Sequence, residues 1–119
     1  MAVRVPILRQ GRTLIASVQE DLSDGDILAL QTRILDDVIR FRATGVIVDV
    51  SSLDVLDSFG TRTLSDIAAA VQLRGARLIL VGIQPEVALS MVLLGLTLPG
   101  VATALDLESG LAALAGSGG

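Results

Sequence analysis

The chain contains no cysteine, histidine, lysine, tryptophan or tyrosine, and most of these absences exclude a class of function. Without cysteine there is no disulfide, no thiol nucleophile and no cysteine metal site. Without histidine, the commonest general base and the commonest transition-metal ligand are both missing. Without lysine, neither a P-loop lysine nor a Schiff base is available. The inventory therefore predicts a protein that is not an enzyme and that needs no cofactor and no metal.

The charge balance and the hydrophobic runs narrow the range of partners. The formal net charge is −4, and an acidic chain is a poor match for the phosphate backbone of a nucleic acid. The most apolar window, residues 87–101, is too short to span a bilayer and contains Gly95, Pro99 and Gly100. We therefore expect no nucleic-acid partner, no membrane association and a cytoplasmic location.

Hydrophobic periodicity predicts the fold. Two strand-like segments meet at Gly11 and Arg12 and predict a hairpin. Ser23, three residues ahead of Asp26, predicts the start of the first helix. After that, helical spacing alternates with continuous apolar runs, giving the order β-β-α-β-α-β-α-β-α. This order predicts one α/β domain over residues 1–114, in which four helices pack on a mostly parallel sheet of about five strands with an antiparallel first edge strand. Residues 115–119 are predicted to be a flexible tail.

Acids and serines collect where the third predicted strand gives way to a helix, in the segment VIVDVSSLDVLDSFG of residues 46–60. Loops that follow the carboxyl ends of parallel strands are where function gathers in open sheets. We expect Asp49, at the end of the strand, to accept backbone N–H groups of the loop. Asp54 and Asp57 are expected to be solvated acids, because a divalent cation needs more oxygen ligands.

Ser58 has two interpretations. As the N-cap of the helix, its oxygen would accept an orphan backbone N–H. As an exposed hydroxyl at the corner, it would be modified by another protein, because a serine nucleophile needs a base that this chain lacks. The helix that follows carries small residues, which form either a solvated face or a flat surface for a partner: Gly60, Thr61, Ser65 and Ala69.

The whole pattern resembles the STAS domain, the fold of anti-sigma-factor antagonists, over nearly the entire chain. The segment VDVSSLDVLDSFG resembles the phosphorylation loop of that family. Three further segments, VPIL, GIQPEVA and TALDLESGL, resemble the RsbS-type stressosome scaffold proteins. RsbR-type relatives usually carry threonine at the position of Ser58 and an N-terminal sensor domain, for which we expect no room here. Sporulation-type antagonists often have the sequence DSSG at this corner. This chain has DSFG, with Phe59 in place of the second serine.

The resemblance implies a function that composition alone does not. It implies that an RsbT-type serine kinase phosphorylates Ser58, and that the residues around this serine bind the partner, namely Asp54, Asp57, Phe59, Gly60 and Thr61. It further implies a non-catalytic scaffold that, when unphosphorylated, holds the kinase in a large complex with RsbR-type paralogues. Phosphorylation would release the kinase, and a PP2C-type phosphatase would reset the serine.

Two other functions remain open at this point. The first is a STAS module that binds a small ligand, either a nucleotide or a lipid, although the lack of lysine and the scarcity of aromatic residues argue against a nucleotide. The second is a hydrolase that uses only carboxylates, with Asp49, Asp54 and Asp57 as its acids.

Overall fold

The predicted order of strands and helices is confirmed by a computed structural model, which describes residues 5–117. A hairpin comes first and is followed by four helices that alternate with three further strands. The elements are β1 Ile7–Gln10, β2 Thr13–Ser17, α1 Asp24–Phe41, β3 Gly45–Asp49, α2 Ser58–Leu73, β4 Arg77–Val81, α3 Pro85–Leu93, β5 Ala102–Ala104 and α4 Leu107–Ser117.

The five strands form one sheet in the order β1-β2-β3-β4-β5. The first pair is antiparallel, with Ile7 opposite Ala16, and the remaining pairs are parallel. This arrangement confirms the predicted fold class, including the antiparallel edge strand. In the parallel register Asp49 lies between Ser17 of β2 and Val81 of β4, so three strands end at the same edge of the sheet.

Aliphatic side chains cover both faces of the sheet. On one face, Val46 and Val48 of β3 pack in a cluster that includes the buried faces of α1, α2 and α3. On the other face, Ile47 lies in a smaller cluster against which Leu111 and Leu114 of α4 pack. The central strand is therefore buried on both sides, as its continuous apolar run predicted.

The first helix begins where the sequence predicted. The Ser23 hydroxyl accepts the backbone N–H of Asp26 at 3.1 Å, and the Asp26 carboxylate accepts the backbone N–H of Ser23 at 3.2 Å. The two bonds form a capping box, which satisfies two donors that the helix itself leaves unpaired. At the far end of the chain, the Asp106 carboxylate accepts the backbone N–H of Ser109 at 2.8 Å, and this bond lowers the pKa of Asp106.

The last helix extends further than expected. It reaches Ser117, so residues 115–117, which the sequence assigned to a flexible tail, continue the helix. Residues 1–4 of the predicted domain and 118–119 of the predicted tail lie outside the described residues, and the domain boundary at residue 114 stays a prediction. Between residues 5 and 117, no helix is long and apolar enough to cross a membrane.

We expect Gly110→Ala to destabilise the fold, because Gly110 of α4 is buried directly against the sheet. A Cβ atom on Gly110 would lie 2.8 Å from Cγ1 of Val81 and 3.5 Å from Cδ1 of Ile47. Overpacking of this kind costs about 1–3 kcal/mol, measured as the free energy of unfolding in urea.

Gly116→Ala is the matched control in the same helix, since a Cβ atom there would meet nothing within 4 Å. We expect it to leave stability unchanged or to raise it by up to about 1 kcal/mol, the difference in helix propensity between glycine and alanine. Equal effects of the two substitutions would contradict the close approach of α4 to the sheet.

Candidate functional site

The candidate site is the connection between β3 and α2, residues 50–57, at the carboxyl edge of the parallel strands. Three hydrogen bonds anchor its start. The Val50 N–H donates to the Val81 carbonyl at 3.0 Å, the Ser51 N–H donates to the Asp49 carboxylate at 2.9 Å, and the Gln84 side chain donates to the Ser51 carbonyl at 2.8 Å. The structure thus confirms the expected role of Asp49, whose carboxylate holds the start of the loop.

The loop is fixed to the core by two of its own side chains. Leu53 and Leu56 are buried, at 7% and 8% exposure, in the cluster that also contains α1 and α2. Between and after them, Asp54, Asp57 and Ser58 are exposed. A rigid base therefore presents two acids and a hydroxyl to solvent.

Asp57, and not Ser58, is the N-cap of α2, which corrects the cap interpretation of the serine. The backbone of Asp57 is extended, its carboxylate accepts the Gly60 N–H at 2.8 Å, and its carbonyl accepts the Thr61 N–H at 2.9 Å. Ser58 is the first residue of the helix, so its hydroxyl is too far along the chain to cap the first turn. Within residues 5–117, this hydroxyl has no hydrogen-bond partner.

The expected flat surface of small residues is wrong for Gly60 and Thr61, because both are buried. A Cβ atom on Gly60 would lie 3.2 Å from the Asp57 carboxylate and 3.2 Å from Leu56. The Thr61 hydroxyl donates to the Ser58 carbonyl at 3.0 Å. Both residues thus serve the packing of the first turn beneath Ser58. Further along α2, Ser65 is half-buried and Ala69 is exposed.

A cavity of about 290 Å³ lies beside the loop and was not predicted from the sequence. Half-buried Phe59 is part of its wall, together with Asp57. Most of the remaining wall is aliphatic. It comes from α1, β3, α2, the connection between β2 and α1 and the connection between β3 and α2: Val18, Leu22, Ile27, Leu30, Val48, Val50, Leu53, Val55, Leu56 and Leu64.

Two further acids reach this edge after β2, Asp21 from the loop and Asp24 from the first residue of α1. Asp21 and Asp24 line the same cavity as Asp57, and the Asp54 N–H donates to the Asp21 carboxylate at 3.3 Å. Their proximity arises from parallel pairing of β2 and β3, whose carboxyl ends meet at one edge. Among residues 5–117 no group of three or more His, Cys, Asp or Glu side chains is arranged to hold a metal ion.

The arrangement leaves the side chain of Ser58 accessible to solvent. The Ser58 hydroxyl is exposed at the positive end of a helix, where an anion is stabilised. Among residues 5–117 this hydroxyl has no hydrogen-bonded base.

We expect Asp57→Ala to lower stability by about 0.5–2 kcal/mol, the usual cost of losing a helix N-cap. Ser58→Ala should change the free energy of unfolding by no more than about 0.5 kcal/mol, since its hydroxyl makes no bond within the described chain. Urea unfolding of both variants, with Asp57→Asn as a replacement that keeps a capping oxygen, measures the difference. A larger loss in Ser58→Ala than in Asp57→Ala would mean that the serine is the cap.

Comparison with known proteins identifies the family to which the chain belongs. The STAS domain family model matches residues 4–106. RsbRA of Bacillus subtilis, an RsbT co-antagonist protein, is 32% identical over 82 residues, which are 69% of this chain. The chain matches about 30% of the length of RsbRA.

Solved structures extend the likeness to almost the whole chain. An S58E variant of Moorella thermoacetica RsbS superimposes with a TM-score of 0.81 at 34% identity, covering 97% of both chains. A chain from a structure of the stressosome, described as a signal integration and transduction hub, gives a TM-score of 0.75 at 33% identity and covers 95% of this chain and 98% of that one. The protein belongs to the STAS domain family. Its fold is similar to that of RsbS and to that of a chain of the stressosome.

Proposed function

We propose that this protein is a non-catalytic stressosome scaffold of the cytoplasm whose Ser58 is phosphorylated by an RsbT-type serine kinase. The observation that carries the proposal is the Ser58 hydroxyl, which is exposed and unbonded at the first residue of α2, on a loop pinned by Leu53 and Leu56. A kinase needs a hydroxyl that is accessible and held in a reproducible position. The 34% identity with RsbS over almost the whole chain supports the same role.

The unphosphorylated form, in this proposal, holds the kinase together with RsbR-type paralogues, and a PP2C-type phosphatase resets the serine. Two comparisons support these partners. RsbRA carries the name of an RsbT co-antagonist, and the stressosome chain has a similar fold over 95% of this protein. The partner-binding residues would be the exposed Asp54 and Asp57 and half-buried Phe59. The buried Gly60 and Thr61 would act by shaping the turn beneath them.

A phosphate on Ser58 would change the charge of this surface strongly. It adds roughly −1.5 to −2 charges beside Asp54 and Asp57. The helix N-terminus offsets only about 0.3–1 kcal/mol, and the Asp57 carboxylate already occupies that end. For charges about 6 Å apart at an effective dielectric constant of about 20, repulsion is roughly 3 kcal/mol per unit charge.

The strength of this repulsion depends on how well water and salt screen the charges. On the free domain, solvent and salt screen the phosphate, and the fold should survive. The phosphorylated form of SpoIIAA, a Bacillus cell fate determinant, matches this chain with a TM-score of 0.64 at 17% identity, so the fold is compatible with a phosphorylated state. Against a bound kinase the phosphate and the acids lose water, and the repulsion grows. A difference of about 3 kcal/mol lowers affinity roughly a hundredfold.

We expect the cognate kinase with ATP to place one phosphate on Ser58, located by mass mapping of peptides. Ser58→Ala should stay unmodified and retain the kinase in a pull-down. Ser58→Glu should weaken kinase binding by about a hundredfold, because it brings a negative charge into the interface. RsbS of Moorella has been solved as a variant with the same kind of substitution.

Ser52→Ala is the matched control, because Ser52 is an exposed serine of the same loop. It should be phosphorylated and bind the kinase like the parent protein. Phosphate on Ser52 in place of Ser58, or equal kinase binding by Ser58→Ala and Ser58→Glu, would contradict the proposal.

The cavity of about 290 Å³ favours a second candidate function, the binding of a small apolar ligand. Its volume is near the lower end for ligand pockets, and its aliphatic wall suits part of a lipid chain. The acids Asp21, Asp24 and Asp57 at its wall would repel a nucleotide phosphate. A fatty acid or lysolipid that occupies it should raise the melting temperature in proportion to the logarithm of its concentration. No shift with any of these lipids would eliminate this function.

A further inference from the structure

Four arginines lie at the opposite edge of the sheet from Ser58, around the amino ends of the parallel strands. Arg12 precedes β2, and Arg77 is the first residue of β4. Arg42 and Arg74 are the C-cap residues of α1 and α2. All four are exposed. The connections that bring the acids to one edge of the sheet thus bring these arginines to the other.

These arginines line two cavities that join. A groove of about 950 Å³ includes Arg12 and Arg77, and a cavity of about 380 Å³ includes Arg12, Arg42 and Arg74. The two share Arg12, Thr44 and Gly75, so they form one continuous surface. In the part of the chain that the structure describes, neither lining contains an aspartate or a glutamate. An otherwise acidic protein therefore carries a locally basic concave surface.

Hydrogen bonds fix the base of this surface. The Arg12 Nε donates to the Arg42 carbonyl at 2.9 Å, the Thr44 N–H donates to the Arg12 carbonyl at 2.8 Å, and the Arg77 N–H donates to the Thr44 carbonyl at 3.1 Å. The bond from Arg12 uses one of the five donors of its guanidinium group, and the other four make no bond to residues 5–117. The arginines thus project from a backbone that is already ordered, which lowers the entropic cost of binding.

One wall of the groove is aliphatic. Leu111 and Leu114 of α4 are half-buried and line it together with Ala115. The negative ends of α1 and α2 near Arg42 and Arg74 weaken the local positive potential only in part, since each helix end carries about half a charge. A ligand that fits both walls combines carboxylates with an apolar side chain.

We propose that this surface, the arginine groove formed by Arg12, Arg42, Thr44, Arg74, Arg77, Leu111 and Leu114, binds an acidic segment of a partner protein. Carboxylates of the segment pair with the guanidinium groups, whose forked donors match a carboxylate in two parallel hydrogen bonds. A leucine or isoleucine of the segment packs against Leu111 and Leu114. The groove lies at the edge of the sheet remote from Ser58, so the proposal is independent of the kinase.

The chemistry of the groove favours a protein segment over other anions. Neither phenylalanine of the chain lines it, so no aromatic ring is present to stack on a nucleobase. The net charge of −4 opposes long-range attraction to a nucleic acid or to an anionic membrane. A short acidic segment depends instead on close pairing inside the groove, where the charge is positive.

The test is fluorescence anisotropy with a labelled peptide that carries alternating glutamates and leucines, beside a twin in which every glutamate is glutamine. We expect the acidic peptide to bind the full chain with an affinity that falls as salt rises, and the neutral twin to bind at least about tenfold more weakly. Arg74→Glu and Arg77→Glu should each weaken binding of the acidic peptide by about tenfold or more, because each replaces an attractive charge with a repulsive one.

Arg62→Glu is the matched control, an exposed arginine of α2 that lines neither cavity. It should bind the acidic peptide within about twofold of the parent protein, since charges separated by more than a Debye length are largely screened. Circular dichroism checks that all variants fold. Equal loss in Arg62→Glu and Arg74→Glu, or no binding of the acidic peptide at about 1 mM, overturns the proposal. Stronger binding to anionic lipid vesicles or to a labelled DNA oligonucleotide than to the peptide also overturns it.

Discussion

Pairing of β3 on both edges and burial of both its faces determine where the other elements lie. Val46, Ile47 and Val48 have no exposed surface, and the strand is bonded in parallel to β2 and β4. A parallel strand needs a crossover to return the chain, so α1 and α2 must carry it back across the sheet. From β2 onward, every connection after a strand begins at one edge of the sheet, and every connection after a helix that leads into a strand ends at the other. The loop with Ser58 owes its position to this rule.

At the start of α2, the Asp57 carboxylate and a phosphate on Ser58 would compete for the same positive helix end. The first turn leaves several backbone N–H groups unpaired, and the Asp57 carboxylate already takes that of Gly60. An anion one residue later meets an end that is partly neutralised, so the helix dipole can stabilise it little. A phosphate at Ser58 would therefore depend more on solvent than on the protein. For this reason we expect a partner that excludes water to sense the modification more strongly than the domain itself.

Much of the architecture was predictable because it depends on local pattern. The hairpin at Gly11, the capping box of Ser23 and Asp26, and the buried run of β3 are all encoded within a few residues. The cap of α2 was not, because Asp57 and Ser58 are both good capping residues and helix ends are uncertain by a residue or two in sequence. The extended backbone of Asp57 and the hydrogen bond that its carboxylate accepts from Gly60 decide between them.

Features that depend on tertiary contact were missed for a different reason. Asp21 and Asp24 join Asp57 because β2 and β3 end at the same edge, and no local pattern in the chain contains that fact. Gly60 and Thr61 have small side chains, which is also common at the surface. In the structure both are buried under the first turn of α2. The four arginines of the groove are scattered in sequence and meet only after folding.

The separation of acids and arginines to opposite edges of the sheet gives the domain an electric polarity. Exposed Asp54 and Asp57 are at one pole, and Arg12, Arg42 and Arg77 at the other. A molecule with such a polarity is turned by the field of an approaching charged protein before the two surfaces touch. Basic and acidic partners would then bind at opposite ends of the domain, so both can be bound at once without competing for space.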